Sequence, residues 1–425
     1  MIYRLLIPLL GLVLAACNGS GGSGLSADTG NARETLALEA DAPDPYDYLN
    51  GLRRSAGMTP FTQELALAVA SWNHARYLDA NNVLGHQELA GEPGFTGAYV
   101  PDRIVSAGYH TRWAGEVIAD GQSPVHALDL LMSAIYHRLT ILDPAMDRVG
   151  ISFFDSPTGA DFLVANFSNS LVNDLCREPQ HEEPGITGQC NPDIALPVEA
   201  FGRAKVEIAL RNPAVIVWPP ENATNIPPAF FDEEPDPLPD YAVSGYPISV
   251  QFNSARLDSW SVSALRLYDV AAQAYVSATR FLDSASDPNG VLRENEFALF
   301  PLQRLEWGRQ YRVELEYVID GVPQIKVWYF ATRDLGGEVK TIGDNDSMLH
   351  VANNATSYLY FTPADGFASL SAYRYVYPQT AQLEFTYVDH NTIALSVQGM
   401  PGDRIVLEFA DGRVLTLVVD ESGRV

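Results

Sequence analysis

Apolar and polar residues recur along this chain with two different periods, and the change of period divides it. From about residue 46 to 142 the apolar positions fall at helical spacing. In TPFTQELALAVASWNHARYLDANNV they are Leu65, Val69, Trp72 and Leu78, behind a Thr-Pro start suited to helix entry. In SPVHALDLLMSAIYHRLTIL, Ser-Pro supplies an N-cap and a first-turn residue, and Leu128, Leu131, Met132 and Ile135 form one stripe. VGISFFDSPTGADFLVANF then alternates around a Pro/Gly turn, which predicts strands. The first unit therefore reads as α+β, helices before a small sheet.

Residues 176–200 are rich in Pro, Gly, Glu and Cys and read as a connector. Beyond it the pattern is almost entirely β. AVIVW, YPISVQF, SALRLYD, EFALFPL, YRVELEYV and QIKVWYFAT are strand-like, with an Asp-Gly turn at 320–321. Strands at this spacing with Pro-rich turns predict an immunoglobulin-like β-sandwich. A last stretch, from SYLYFTPADG through RVLTLVV, predicts a further small β domain or a second sandwich. FFDEEPDPLPD (230–240) is acidic with regular Pro and reads as an extended loop of the first sandwich.

A chain of 425 residues exceeds what one core supports, so several domains are expected. The formal charge of −26 argues against nucleic acid and against docking on anionic lipid through charge. Three lysines occur, at Lys205, Lys326 and Lys340, and the remaining basic residues are arginines. The start, MIYRLLIPLLGLVLAAC, has one Arg and an apolar run too short for a membrane span but suited to an export signal. Its end, Leu14-Ala15-Ala16-Cys17, resembles the lipobox of bacterial lipoproteins, which implies cleavage before Cys17 and acylation of its thiol. Asn18 follows where some lipoproteins carry an inner-membrane Asp, so an outer-membrane or surface position is expected. The polar stretch 18–45 reads as a flexible tether reaching about 30 Å. Cys176 and Cys190 then remain as a pair, and a bridge between them is worth roughly 3 kcal/mol in the chain-entropy account.

Six features in the helical unit fall in a recognisable order: Asn50 with Arg53, His74-Ala75, His86, Ala107-Gly108-Tyr109, Gly115-Glu116, and Ser133 with His137-Arg138. In this the unit resembles the CAP superfamily, the SCP-like, cysteine-rich secretory and pathogenesis-related group, over roughly 45–170. The resemblance implies an α/β/α sandwich with His86, Glu116 and His137 converging on one cleft. Two departures stand out. Val117 replaces the Asn that follows the family's Glu, and LLMSA offers no second Glu before His137, Asp129 being a poor substitute. The expected organisation is a signal peptide (1–16), tether (17–45), CAP-like domain (46–175), disulfide-stapled connector (176–204), Ig-like sandwich (205–334) and C-terminal β domain (335–425).

Two imidazoles and a carboxylate suffice to hold Zn²⁺ or a similar divalent ion with a position left for water. Such a water can attack an ester or amide, but no acid is left as general base once Glu116 is a ligand. The alternative is a hydrogen-bonded polar cluster lining a cleft. Elsewhere the signals are weak. His74 reads as a packing residue and His126 as a surface one, about 16 Å along the helix from His137. HEEPG (181–185) lacks the second His of a zinc-protease helix. DPNGVLRENE (287–296) spaces Asp287, Asn289 and Glu296 like calcium ligands around Gly290, but Ala285 falls at the first ligand position and a solvated turn is expected. The sequence thus favours a lipid-anchored envelope protein whose cleft holds a lipid, glycan or protein ligand. A metal-dependent hydrolase and a structural surface protein are the alternatives.

Overall fold

The computed structural model describes residues 25–27, 44–156, 161–177, 185–363, 370 and 372–420. Cys17, the signal segment and residues 181–184 of HEEPG lie outside the described residues. A three-residue strand within the expected tether, β1 (Leu25–Ala27), pairs antiparallel with Val376–Pro378 of the C-terminal domain.

The N-terminal unit comprises α1 (Pro45–Ser55), β2 (Thr62–Gln63), α2 (Leu65–Asn81), α3 (Val100–Ser106), β3 (Ala114–Asp120), α4 (Pro124–Ser133), α5 (Ile135–Ile141), β4 (Arg148–Phe154) and β5 (Phe162–Ser168). The strands form one sheet in the order β2-β4-β5-β3. Strand β5 is buried at every position because it is central and covered on both faces. Helix α2 lies close on it: Gly150 of β4 meets the helix so tightly that a Cβ there would stand 1.9 Å from the Ala68 nitrogen. The small and polar residues Ala70, Ser71, His74 and Ala75 therefore face the sheet with Leu67, Tyr77 and Leu78. This corrects the periodicity reading. Of the predicted stripe only Leu78 is buried, while Leu65, Val69 and Trp72 lie outward, Trp72 resting edge-on against Phe154.

The predicted helix over 124–142 is two helices, broken at Ala134, whose ψ of 117° is extended. The cause lies in the carbonyls at the break. Met132 O accepts from Arg138 Nε at 2.6 Å and from Tyr246 Oη at 2.8 Å, and Ser133 O accepts from Arg138 Nη2 at 3.4 Å. Side chains thus satisfy carbonyls that would otherwise continue the helical ladder.

The connector is stapled by a Cys176–Cys190 disulfide between the end of α6 (Ser170–Arg177) and an extended segment. It runs into a helix not anticipated, α7 (Val198–Ala209), which buries Phe201, Ala204 and Ile208. Their i, i+3, i+7 spacing was readable in VEAFGRAKVEIA.

The second domain is a β-sandwich. One sheet orders Thr279–Leu282, Glu296–Pro301, Ile248–Phe252 and Val215–Trp218; the other centres on Trp260–Asp269, Gln310–Ile319 and Val322–Thr332. Asp320 and Gly321 both have positive φ and turn the last hairpin, pairing Ile319 with Val322. Ile248–Phe252 and Glu296–Pro301 are buried along their whole length, since the first sheet is covered on both faces. One face meets the second sheet. The other meets the N-terminal unit, where Ile135, Tyr136 and Leu139 of α5 pack with Phe230, Leu238, Leu282, Leu292 and Phe300. The C-terminal residues form another two-sheet sandwich with its own core, including Leu359, Phe361, Leu395, Leu407 and Leu417. Among the described residues, no helix is long and apolar enough to cross a membrane.

Candidate functional site

Four elements of the N-terminal unit (α2, α3, β3 and α5), the loop that carries His86 and one loop of the second domain meet at a polar site. Glu116 stands on β3 and is almost fully buried. Its Oε1 accepts from Arg103 Nη2 at 2.6 Å and pairs with His86 Nδ1 at 3.0 Å. Its Oε2 accepts from Arg103 Nη2 at 2.8 Å and, in the amide orientation that also satisfies Ser71, from Asn166 at 3.0 Å. Burial pushes the Glu116 carboxyl upward, but the His86 hydrogen bond and the charges of Arg103 and His74 outweigh it, and its pKa lies below the ordinary value.

Beneath Glu116, His74 is wholly buried, with Nδ1 2.9 Å from Glu88 Oε1 and Nε2 3.0 Å from the Gly85 carbonyl. Both ring nitrogens face acceptors, so only the imidazolium satisfies both contacts. Glu88 also accepts from the backbone of Thr96 at 2.6 Å and Gly97 at 3.2 Å. Burial raises its carboxyl, and the His74 and backbone hydrogen bonds more than reverse that, holding the pKa below the usual range. His74, Arg103, Glu88 and Glu116 thus make a buried polar quartet under the loop that carries His86. The sequence reading of His74 as packing missed this, as it missed Arg103 and Glu88. An Arg in the polar turn of a short helix gives no sequence signal of burial.

His86 is half-exposed, at 49% of its side chain, and its ring lies over that of His137 with centroids 6.3 Å apart and planes 20° apart. His137, at 15% exposure, turns its Nδ1 to Glu233 Oε1 at 3.2 Å. Glu233 belongs to the acidic loop of the second domain, read from sequence as a plain extended loop. Asp129 has no part in this cleft: it accepts from Tyr48 Oη at 2.6 Å and faces Arg333. His126 is not a free surface residue. It is half-buried, beside His390 of the C-terminal domain and Arg333.

The structure therefore brings His86, Glu116 and His137 together, with Glu116 tied to Arg103. Among the described residues, no group of three or more His, Cys, Asp or Glu side chains is placed to hold an ion. Every good acceptor direction of Glu116 is taken, so the expected trio does not fit as a ligand set. What the site presents is two imidazoles, each with Nδ1 on a carboxylate. With Nδ1–H donated, each Nε2 is left as the basic nitrogen, and neither has a hydrogen-bond partner among the described residues. The calcium-like stretch is closed as well: Asp287 accepts from Tyr136 Oη and from the backbone of Asn289, Val291 and Leu292, at 3.1, 2.7 and 2.8 Å for the last three.

Residues 46–167 match the family described as CAP, the cysteine-rich secretory protein family, and form a CAP domain. No curated protein matches the chain. Among solved structures, an outer surface protein of Borrelia burgdorferi is 16% identical, with 29% of this chain and 86% of that chain covered and a TM-score of 0.25. An extracellular SCP-domain protein of Bacillus anthracis is 22% identical over 29% of this chain and 38% of its own, also at 0.25. Fibronectin(III)-like modules of Clostridium thermocellum cover 49% of this chain and 95% of their own at 10% identity and a TM-score of 0.15. The domain assignment rests on the family match and not on these overlays.

Proposed function

We propose that this chain is a lipid-anchored cell-envelope protein whose CAP cleft is a binding site, holding a hydrogen-bond-donating group of a lipid, glycan or protein between His86 and His137. The observation that carries this is the pair of carboxylate-held imidazoles with unengaged Nε2 atoms at a solvent-reaching cleft. The loop bearing His86 also exposes Leu84, Leu89 and Tyr99, apolar surface that suits an amphipathic ligand. Anchoring rests on Cys17 in its lipobox-like setting. Hydrolysis has less support, because Glu116 is held by Arg103 and is free neither as ligand nor as base.

The test is co-sedimentation of the full chain with vesicles of bacterial envelope lipid, and pull-down on immobilised envelope glycan. The wild type is compared with a His86→Ala/His137→Ala double variant, both with Cys17→Ser to remove anchoring. Binding reduced at least tenfold in the double variant is expected. Equal binding by both proteins, or none by either, would overturn the reading.

A further inference from the structure

We propose that Glu233, supplied by the second domain, is a positioning residue of the CAP cleft: it fixes the tautomer of His137, so the second acceptor nitrogen is formed only while the two domains are docked. The inference rests on the binding-site reading given above and concerns how that site is assembled.

Glu233 has no side-chain exposure, and its Oε1 accepts from the Tyr136 backbone N–H at 2.8 Å while facing His137 Nδ1 at 3.2 Å. Its Oε2 is buried and has no hydrogen-bond partner among the described residues, so the hydrogen bonds of Glu233 go to two consecutive residues of α5. A buried carboxylate oxygen beside an imidazole admits only a proton on the facing nitrogen; a lone pair there would oppose a lone pair. His137 is thereby held as Nδ1–H. A free neutral imidazole in water prefers the opposite form, with the proton on Nε2. Removing Glu233 thus turns the cleft-facing nitrogen from acceptor to donor.

Glu233 is held in place by the packing around it. Phe230 and Leu238, on either side of it in sequence, pack against Ile135, Tyr136 and Leu139. Tyr136 Oη donates to Asp287 and accepts from Asn289 Nδ2 at 3.1 Å, both in the second domain. Arg138 donates across the same boundary to the Pro247 carbonyl at 2.8 Å and Ser249 Oγ at 3.3 Å. Helix α5 is therefore clamped on both sides of His137. By linkage, a ligand that takes His137 Nε2 as acceptor tightens the docking of the second domain, and docking tightens the ligand by the same factor.

The experiment is two-bond ¹H–¹⁵N correlation on the full chain labelled with ¹⁵N-histidine, with His86 and His137 assigned through their alanine variants. In wild type both rings are expected as Nδ1–H. In Glu233→Ala, His137 is expected to change to Nε2–H while His86, on Glu116, stays Nδ1–H and reports an intact cleft. Glu233→Asp, which keeps the charge but withdraws it by one methylene, is expected to move His137 the same way. Glu233→Gln, whose amide oxygen still accepts, is expected to leave it as Nδ1–H. An Nε2–H tautomer of His137 in wild type, or Nδ1–H retained in both Glu233→Ala and Glu233→Asp, would overturn the proposal. The spectra need no ligand, so a cleft that binds nothing in the vesicle and glycan assays leaves this result standing.

Discussion

Arg103 shows what one buried cation does for the site. Its guanidinium holds both oxygens of Glu116, donates to the His86 carbonyl at 2.9 Å, and lies 3.8 Å from Glu88. Without it two buried carboxylates, Glu88 and Glu116, lose their only buried arginine partner among the described residues. Arg103→Met is expected to cost about 3–5 kcal/mol in chemical denaturation, the usual range for stranding a buried charge. The second substitution Glu116→Gln in that background should restore part of the loss, because it removes the stranded charge. A simple sum of the two single effects would show that they do not act as one network. In the sequence, His86, Glu116 and His137 were legible because they fall in a recognisable order. Arg103, Glu88 and Glu233 were not, since nothing local marks a charged residue that burial will pair.

At the scale of the element, α2 and α5 carry the site by different means. Helix α2 brings His74 under the cleft because it can approach β4 at Gly150. Gly150→Ala is expected to destabilise the chain by about 3 kcal/mol, at the upper end for overpacking, since the obstruction is backbone and cannot rotate away. Equilibrium unfolding in urea measures it, and an effect below about 0.5 kcal/mol would mean that the helix is free to shift. Helix α5 is short and begins after a break that no propensity predicts. The break exists because Arg138 and Tyr246 satisfy the carbonyls of Met132 and Ser133. Periodicity found α4 and α5 as one stripe and correctly listed Leu128, Leu131, Met132 and Ile135 as buried. On α2 it chose the wrong face, because size was taken for burial where the sheet requires small residues.

At the scale of the whole molecule, the domains meet at titratable joints. His126 of α4 lies beside His390 of the C-terminal sandwich and Arg333, and the His390 ring packs at a tilt of 39° against Phe231, with centroids 4.5 Å apart. Burial, then His390 and Arg333, lower the His126 pKa from 6.5 to about 4. Burial lowers that of His390 as well, against the opposing charges of Asp389 and Asp120. Between pH 6.5 and 4 the unfolded chain takes up a proton at His126 that the folded chain refuses. This contribution is therefore favourable above about pH 6.5 and is lost as pH falls toward 4, by up to about 3 kcal/mol. The stability difference between wild type and His126→Gln, followed by denaturation from pH 7 to 4.5, should move in favour of the variant across that window. A constant difference would show that His126 is not held neutral at the joint.

The sequence by itself determined the order of domains in broad outline, the strands of the second domain, the Asp-Gly hairpin at 320–321 and the Cys176–Cys190 pairing. These follow from local period, turn chemistry and cysteine arithmetic, which a chain carries wherever it folds. Its resemblance to the CAP superfamily also implied that His86, Glu116 and His137 belong near one another. Only the tertiary structure decided what they do there. Glu116, on strand β3, is held by an arginine from helix α3, and His137 answers to a carboxylate 96 residues away in another domain. Contacts made across such a distance leave no mark at either end, because each residue's surroundings exist only once the chain has closed around them.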